Sequence, residues 1–119
     1  MTTLEKIIQA KHRRIGIQKL SNSFTDPYIS SNTNIDTPRF FSHLNNCLND
    51  YKIIAEMKKA SPSRGLLREK YEPEVIAQDY QQASAACLSV LTNEPFFKGC
   101  LEHLSLVRDH VDLPLLRKD

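Results

Sequence analysis

Three side chains of this chain stand out as able to do chemistry, Glu56, Lys58 and Lys118. The first two close an apolar run that reads as a strand over Lys52–Met57, buried through Ile53–Ala55. Side chains alternate faces along a strand. Ile54, Glu56 and Lys58 therefore point one way, and Ile53, Ala55 and Met57 the other. A carboxylate and an ammonium thus share a face at the strand's C-terminal end. Pro114 leads into a second short apolar run, Leu115–Lys118, on which Leu116 and Lys118 share a face. An ammonium can donate a proton or hold an anion, and a carboxylate can orient it. By themselves Glu56 and Lys58 would be an ordinary same-face ion pair. A lysine one residue from the chain's last position would be merely solvated.

The elements that must position these groups alternate between strand and helix. Leu4, Ile7, Ile8 and Ile15 form a helical stripe, which predicts an amphipathic helix over Leu4–Leu20, capped by Thr2 or Thr3 and weakened near Gly16. Its Lys11-His12-Arg13-Arg14 cluster reads as a solvated face, because no aromatic residue interleaves with it. Ser21–Thr37 reads as a polar linker anchored by Tyr28 and Ile29. Thr37-Pro38 opens a helix running to about Asn46, with Phe40, Phe41, Leu44 and Leu48 as its apolar side. After the strand at Lys52–Met57 comes a loop built on Ser61-Pro62-Ser63-Arg64-Gly65 and continuing to Lys70. A helix follows over Pro73–Ala83, striped by Ile76, Tyr80 and Ala83. Cys87–Leu91 reads as a strand, Thr92–Gly99 as a loop, and Leu101–His110 as a helix with Leu101, Leu104, Val107 and Val111 on one side. This rhythm argues for an α/β fold with a parallel sheet. The strand ends then converge, bringing Glu56, Lys58, Lys118 and the Asn93-Glu94 pair to one rim over an apolar floor that includes Leu116.

Composition narrows the function classes. The 119 residues are 40% hydrophobic and 25% charged, as in one ordinary globular domain. A net charge of +2 is too small to argue for nucleic acid or an anionic membrane as partner. No run approaches the ~18 apolar residues of a membrane span, and Met-Thr-Thr-Leu-Glu-Lys lacks the layout of a secretory signal. Cys47, Cys87 and Cys100, odd in number and widely spaced, suggest free thiols and a cytoplasmic location. His12, His43, His103 and His110 fall at no metal-ligand spacing with these cysteines and read as surface or helix-end residues, so no metal is expected. The glycines form neither a Rossmann nor a P-loop pattern.

Glu56-Met57-Lys58-Lys59-Ala60-Ser61-Pro62-Ser63 followed by Gly65 resembles the signature of the indole-3-glycerol-phosphate synthases. The resemblance continues through Leu88–Thr92, Phe96–Gly99 and Pro114–Asp119, and is thin before Ile53. It implies a (β/α)8 TIM barrel, here its first three strands with their helices, preceded by an N-terminal helical extension. On that reading residues 1–50 are the extension and linker, and residues 51–119 the first part of the barrel. The implied enzyme is a carboxy-lyase of tryptophan biosynthesis. It closes a ring in 1-(2-carboxyphenylamino)-1-deoxyribulose 5-phosphate, then loses carbon dioxide and water to give indole-3-glycerol phosphate, with no cofactor. The resemblance makes Lys118 the general acid of ring closure, and Lys58 the ligand of the substrate carboxylate and, on one account of the family, the acid of dehydration. It makes Glu56 the group that orients the lysine and the substrate hydroxyls, Ser61 a phosphate ligand, and Phe97 and Leu116 the packing for the aromatic ring.

Three departures from the family pattern stand out: Ser84 where a glycine commonly ends the helix, Asn93 where an acidic residue is common, and Cys100 where a small hydroxyl residue is usual. A barrel of this kind typically needs ~250 residues, so the chain is expected to be a fragment, marginally stable alone and inactive without the remainder of the barrel. The competing reading is a non-enzymatic half-barrel relic or interaction fragment that needs a complementing partner. A different phosphate-handling barrel would need another first-strand signature.

Overall fold

A computed structural model describes residues 1–21 and 40–119, within two compact units, Met1–Asp36 and Thr37–Asp119. The linker beyond Ser21, its anchors Tyr28 and Ile29, and the Thr37-Pro38 helix start lie outside the described residues.

In the first unit, helix α1 spans Thr3–Leu20 and passes through Gly16 without a break. Thr2 is the cap. The Glu5 amide donates to Thr2 Oγ1 at 3.2 Å, and the Thr2 amide donates back to the Glu5 carboxylate at 2.5 Å, a capping box that satisfies two otherwise orphaned donors. No residue of α1 is buried. Within the predicted stripe Ile7 and Ile15 are half-buried, while Leu4 and Ile8 are exposed.

The second unit begins with α2 (Phe40–Asn46). Phe40 and Leu44 are half-buried, but Phe41 and Leu48 stand in solvent, so only half of the expected apolar side packs. Strand β1 covers Ile54–Met57. It begins two residues later than the sequence suggests, although the Ile53 carbonyl still accepts from the Ala86 amide at 2.8 Å. The following segment is not simply a loop. It folds back as an antiparallel hairpin of β2 (Ala60–Ser61) and β3 (Gly65–Leu66). Gly65 takes φ +65° there, a conformation that costs a residue with a Cβ. Helix α3 (Pro73–Gln82) starts with proline in its first turn, where no amide is needed. Strand β4 (Cys87–Leu91) follows as expected. The expected Thr92–Gly99 loop contains a short helix, α4 (Glu94–Phe97). Helix α5 (Leu101–Arg108) and strand β5 (Leu115–Lys118) complete the unit.

The three long strands form a parallel sheet in the order β1-β4-β5. Ala55 and Met57 of β1 and Leu88 and Val90 of β4 face Ile76 and Ala77 of α3 and Leu104 and Val107 of α5. Ala77 does the packing expected of Ala83, which is exposed. Each large aliphatic side chain buried here contributes about 1.5–3 kcal/mol, so this layer holds the sheet flat against its helices. The register places Glu56, Ser89 and Leu116 level across the sheet, and Leu91 level with Lys118. In a parallel sheet level residues share a face. Glu56, Ser89, Leu116 and Lys118 therefore lie on the side away from α3 and α5. Cys87 lies on that side too, with its thiol 4.0 Å from the Phe40 carbonyl of α2.

Candidate active site

Strand β1 supplies Glu56 and, one residue past its end, Lys58. Strand β5 supplies Lys118, and β4 runs between them. Adjacent strands lie about 4.8 Å apart, so a contact from β1 to β5 must bridge the central strand. It does. The Lys118 ammonium donates to Glu56 Oε1, while Lys58 Nζ lies 3.0 Å from Glu56 Oε2. One carboxylate holds two ammonium groups, one per oxygen. Burial pushes the Glu56 pKa up, but the hydrogen bonds from Lys118 and Lys58, with their charges, outweigh it and hold it below the usual value. The cluster remains open to a ligand, since Lys118 is 53% exposed and Glu56 31%.

The surroundings fix this arrangement. The Thr92 amide donates to the Lys118 carbonyl at 2.8 Å, and Thr92 Oγ1 donates to the same oxygen at 3.4 Å. Arg117 Nε donates to Thr92 Oγ1 at 3.3 Å. Thr92 is buried, so the backbone at Lys118 is anchored while its side chain is 53% exposed. On α4, Asn93 Oδ1 caps the helix by accepting from the Phe96 amide at 3.1 Å. That helix carries Phe97, whose ring centroid is 5.9 Å from Lys58 Nζ, within cation–π range.

Glu56, Lys58, Lys118 and Phe97 are thus brought together. Leu116 is level with Glu56 and two residues below Lys118, and is 45% exposed, which suits an apolar floor still open on one side. Ser61 is bonded within its own turn, accepting from the Arg64 amide at 3.2 Å and lying 3.4 Å from Ser63 Oγ. Among the described residues no hydrogen bond joins it to Glu56, Lys58 or Lys118. Among the described residues no group of three His, Cys, Asp or Glu side chains could hold a metal, and no helix is long and apolar enough to cross a membrane. His103 lies in the first turn of α5 and is half-buried rather than exposed. Its ring packs on Tyr71 with centroids 5.3 Å apart, and its buried Nδ1 has no partner among the described residues. Burial lowers the pKa of His103 and pushes that of Tyr71 up to about 12.

The sequence reading missed two residues of this neighbourhood. Thr92 anchors β5, and its only signal was a hydroxyl at the end of a buried strand. Ser89 sits on the face that carries Glu56 and Lys118, and its signal was a polar residue inside an otherwise apolar strand.

The model of the indole-3-glycerol phosphate synthase family matches residues 4–119. The chain belongs to this family. A relative of that name from Acinetobacter baumannii is 42% identical over 121 aligned positions, covering 99% of this chain and 43% of the relative. A synthase from Rhodopirellula baltica is 59% identical over 68 positions, covering 57% of this chain and 26% of the relative. One from Campylobacter jejuni is 57% identical over 70 positions, 59% of this chain and 27% of its own. The chain spans less than half the length of these curated relatives. The indole-3-glycerol phosphate synthase family model also takes in α1, where the motif resemblance was thin.

Proposed function

We propose that this chain forms the N-terminal part of a cytoplasmic indole-3-glycerol-phosphate synthase. In this reading β1, β4 and β5 are the first three strands of a (β/α)8 barrel whose other strands close the open face of the sheet. The observation that carries the reading is the sharing of one carboxylate by two ammonium groups at the C-terminal ends of β1 and β5, the end of a barrel at which active sites are built. The substrate carries a carboxylate and a phosphate, and its reaction needs a ketone oxygen protonated during ring closure and a hydroxyl protonated as it leaves.

Lys118 donates the first proton. Its backbone is anchored and its side chain is 53% exposed, so the ammonium leaves Glu56 to reach the ketone. Lys58, between Glu56 and the Phe97 ring, binds the substrate carboxylate. Glu56 holds both lysines in place, then accepts hydrogen bonds from substrate hydroxyls. Phe97 and Leu116 pack against the aromatic ring. Ser61, the last residue of β2 in the β2–β3 hairpin, meets the phosphate once the substrate is bound.

The test joins this chain to the C-terminal remainder of the Acinetobacter baumannii relative and assays indole-3-glycerol phosphate formation. Turnover is expected from the joined protein and none from the 119 residues alone. Lys118→Ala should lower kcat by about 10²–10⁴-fold. A folded joined protein without turnover, or one indifferent to Lys118→Ala, would overturn the reading.

A further inference from the structure

Ser89 is 5% exposed, and its Oγ is buried with no hydrogen-bond partner among the described residues. Such an orphan hydroxyl is uncommon in a folded protein and calls for an explanation. Its place supplies one. Ser89 lies level with Glu56 on the adjacent strand, beneath the span by which Lys118 crosses β4 to reach Glu56. The helix-facing core takes its neighbours Leu88 and Val90 instead, so Ser89 faces the lysine–carboxylate cluster.

In the resting arrangement both oxygens of Glu56 are taken, Oε1 by Lys118 and Oε2 by Lys58. Lys118 cannot serve a substrate while it stays there. When it leaves, Oε1 loses a charged donor. A carboxylate in a partly buried site then needs a replacement or its pKa climbs. Nothing else level with Glu56 carries a donor, because the third member of the row is Leu116. We propose that Ser89 is a positioning residue whose hydroxyl takes over Glu56 Oε1 when Lys118 swings to the substrate, holding the carboxylate ionised and in place. In the resting state, with Lys118 on Oε1, the hydroxyl makes no hydrogen bond among the described residues. This role rests on the proposed synthase reading only in naming what draws Lys118 away; the exchange of donors itself needs no substrate.

The test therefore removes Lys118 by substitution. Glu56 is followed by carboxyl ¹³C chemical shift through a pH titration of the 119-residue chain. Four chains are compared: unchanged, Ser89→Ala, Lys118→Ala, and the double variant. Ser89→Ala should leave the Glu56 midpoint in place while Lys118 is present. With Lys118→Ala it should raise the midpoint by about half a pH unit or more, the size expected for a lost hydrogen bond to the charged form. Ser89→Thr in the Lys118→Ala background keeps a hydroxyl and should hold the midpoint down. The same effect of Ser89→Ala in both backgrounds, or none in either, overturns the proposal, as does failure of Ser89→Thr to behave differently from Ser89→Ala. None of these outcomes depends on turnover, so a failed activity assay and a failed donor exchange are told apart.

Discussion

Glu56 draws two opposing influences into one side chain, partial burial and two cationic donors, and the donors prevail. The sign of its pH effect follows. In the unfolded chain a glutamate titrates near about 4.3, and in the folded chain Glu56 titrates lower. Its contribution to stability is therefore complete above the unfolded value and is lost as pH falls through the folded one. Glu56→Gln should flatten the fall in stability between about pH 6 and pH 3, read as urea midpoints of the variant and the unchanged chain across that range. Equal slopes for the two would show that the ion pairs contribute nothing measurable, as many exposed pairs do. At this scale the sequence carried much of the site. Alternation along a strand was enough to put Glu56 with Lys58, and Leu116 with Lys118. The meeting of Glu56 with Lys118 depends on register across β4, which no local pattern encodes, and the same gap hid Ser89.

The ends of α3 and α5 show how far single positions set element stability. Helix α3 closes with the Ala85 amide donating to the Tyr80 carbonyl and the Ser84 amide to the Gln81 carbonyl, both at 3.0 Å, the bonding of a Schellman cap. Ser84 sits at φ +66°, where a Cβ costs roughly 1–2 kcal/mol. Glycine there would relieve the strain but give back roughly 0.5–1 kcal/mol in unfolded-state entropy. Ser84→Gly should thus stabilise the chain by about 0.5–1 kcal/mol, seen as a higher urea midpoint at unchanged slope. Gly99 presents the opposite case. A Cβ there would stand 2.3 Å from the Leu91 carbonyl oxygen and 2.8 Å from its carbon, and backbone cannot step aside as a side chain can. Gly99→Ala should cost about 1–3 kcal/mol and should displace α4 with Phe97, so that fluorine-labelled Phe97 changes its resonance. Cys100, the α5 cap, makes no capping hydrogen bond with its side chain. Cys100→Ser offers an acceptor to the first turn and should add about 0.5–1 kcal/mol to the urea-derived stability. The strain at Ser84 was legible because the family pattern marks a left-handed cap. The hairpin and α4 were not, since two- and four-residue elements are too short for a period to register. Asn93 followed by Pro95 was the one overlooked sign of a helix start.

Across the second unit, β4 has a partner on each side while β1 and β5 each pair only with β4 among the described residues. Both outer strands leave amides and carbonyls unpaired, which invites further strands. Ile54 and Leu116, on the face away from α3 and α5, are 44% and 45% exposed. Both features are what the proposed barrel reading expects of its first three strands, and the relatives are more than twice as long as this chain. Covering Ile54 and Leu116 fully would gain about 1 kcal/mol apiece, and each edge hydrogen bond completed by a neighbouring strand about 0.5–1.5 kcal/mol. The sum is several kcal/mol, and in a domain of this size each kcal/mol moves the melting temperature by about 4–8 °C. Joining the chain to the C-terminal remainder of the Acinetobacter baumannii relative should therefore raise the calorimetric Tm by at least ~10 °C and slow exchange of the outward-facing amides of β1 and β5. A joined protein that melts where the 119-residue chain melts, with those amides still exchanging freely, would mean that the outer strands are not interior strands of a barrel.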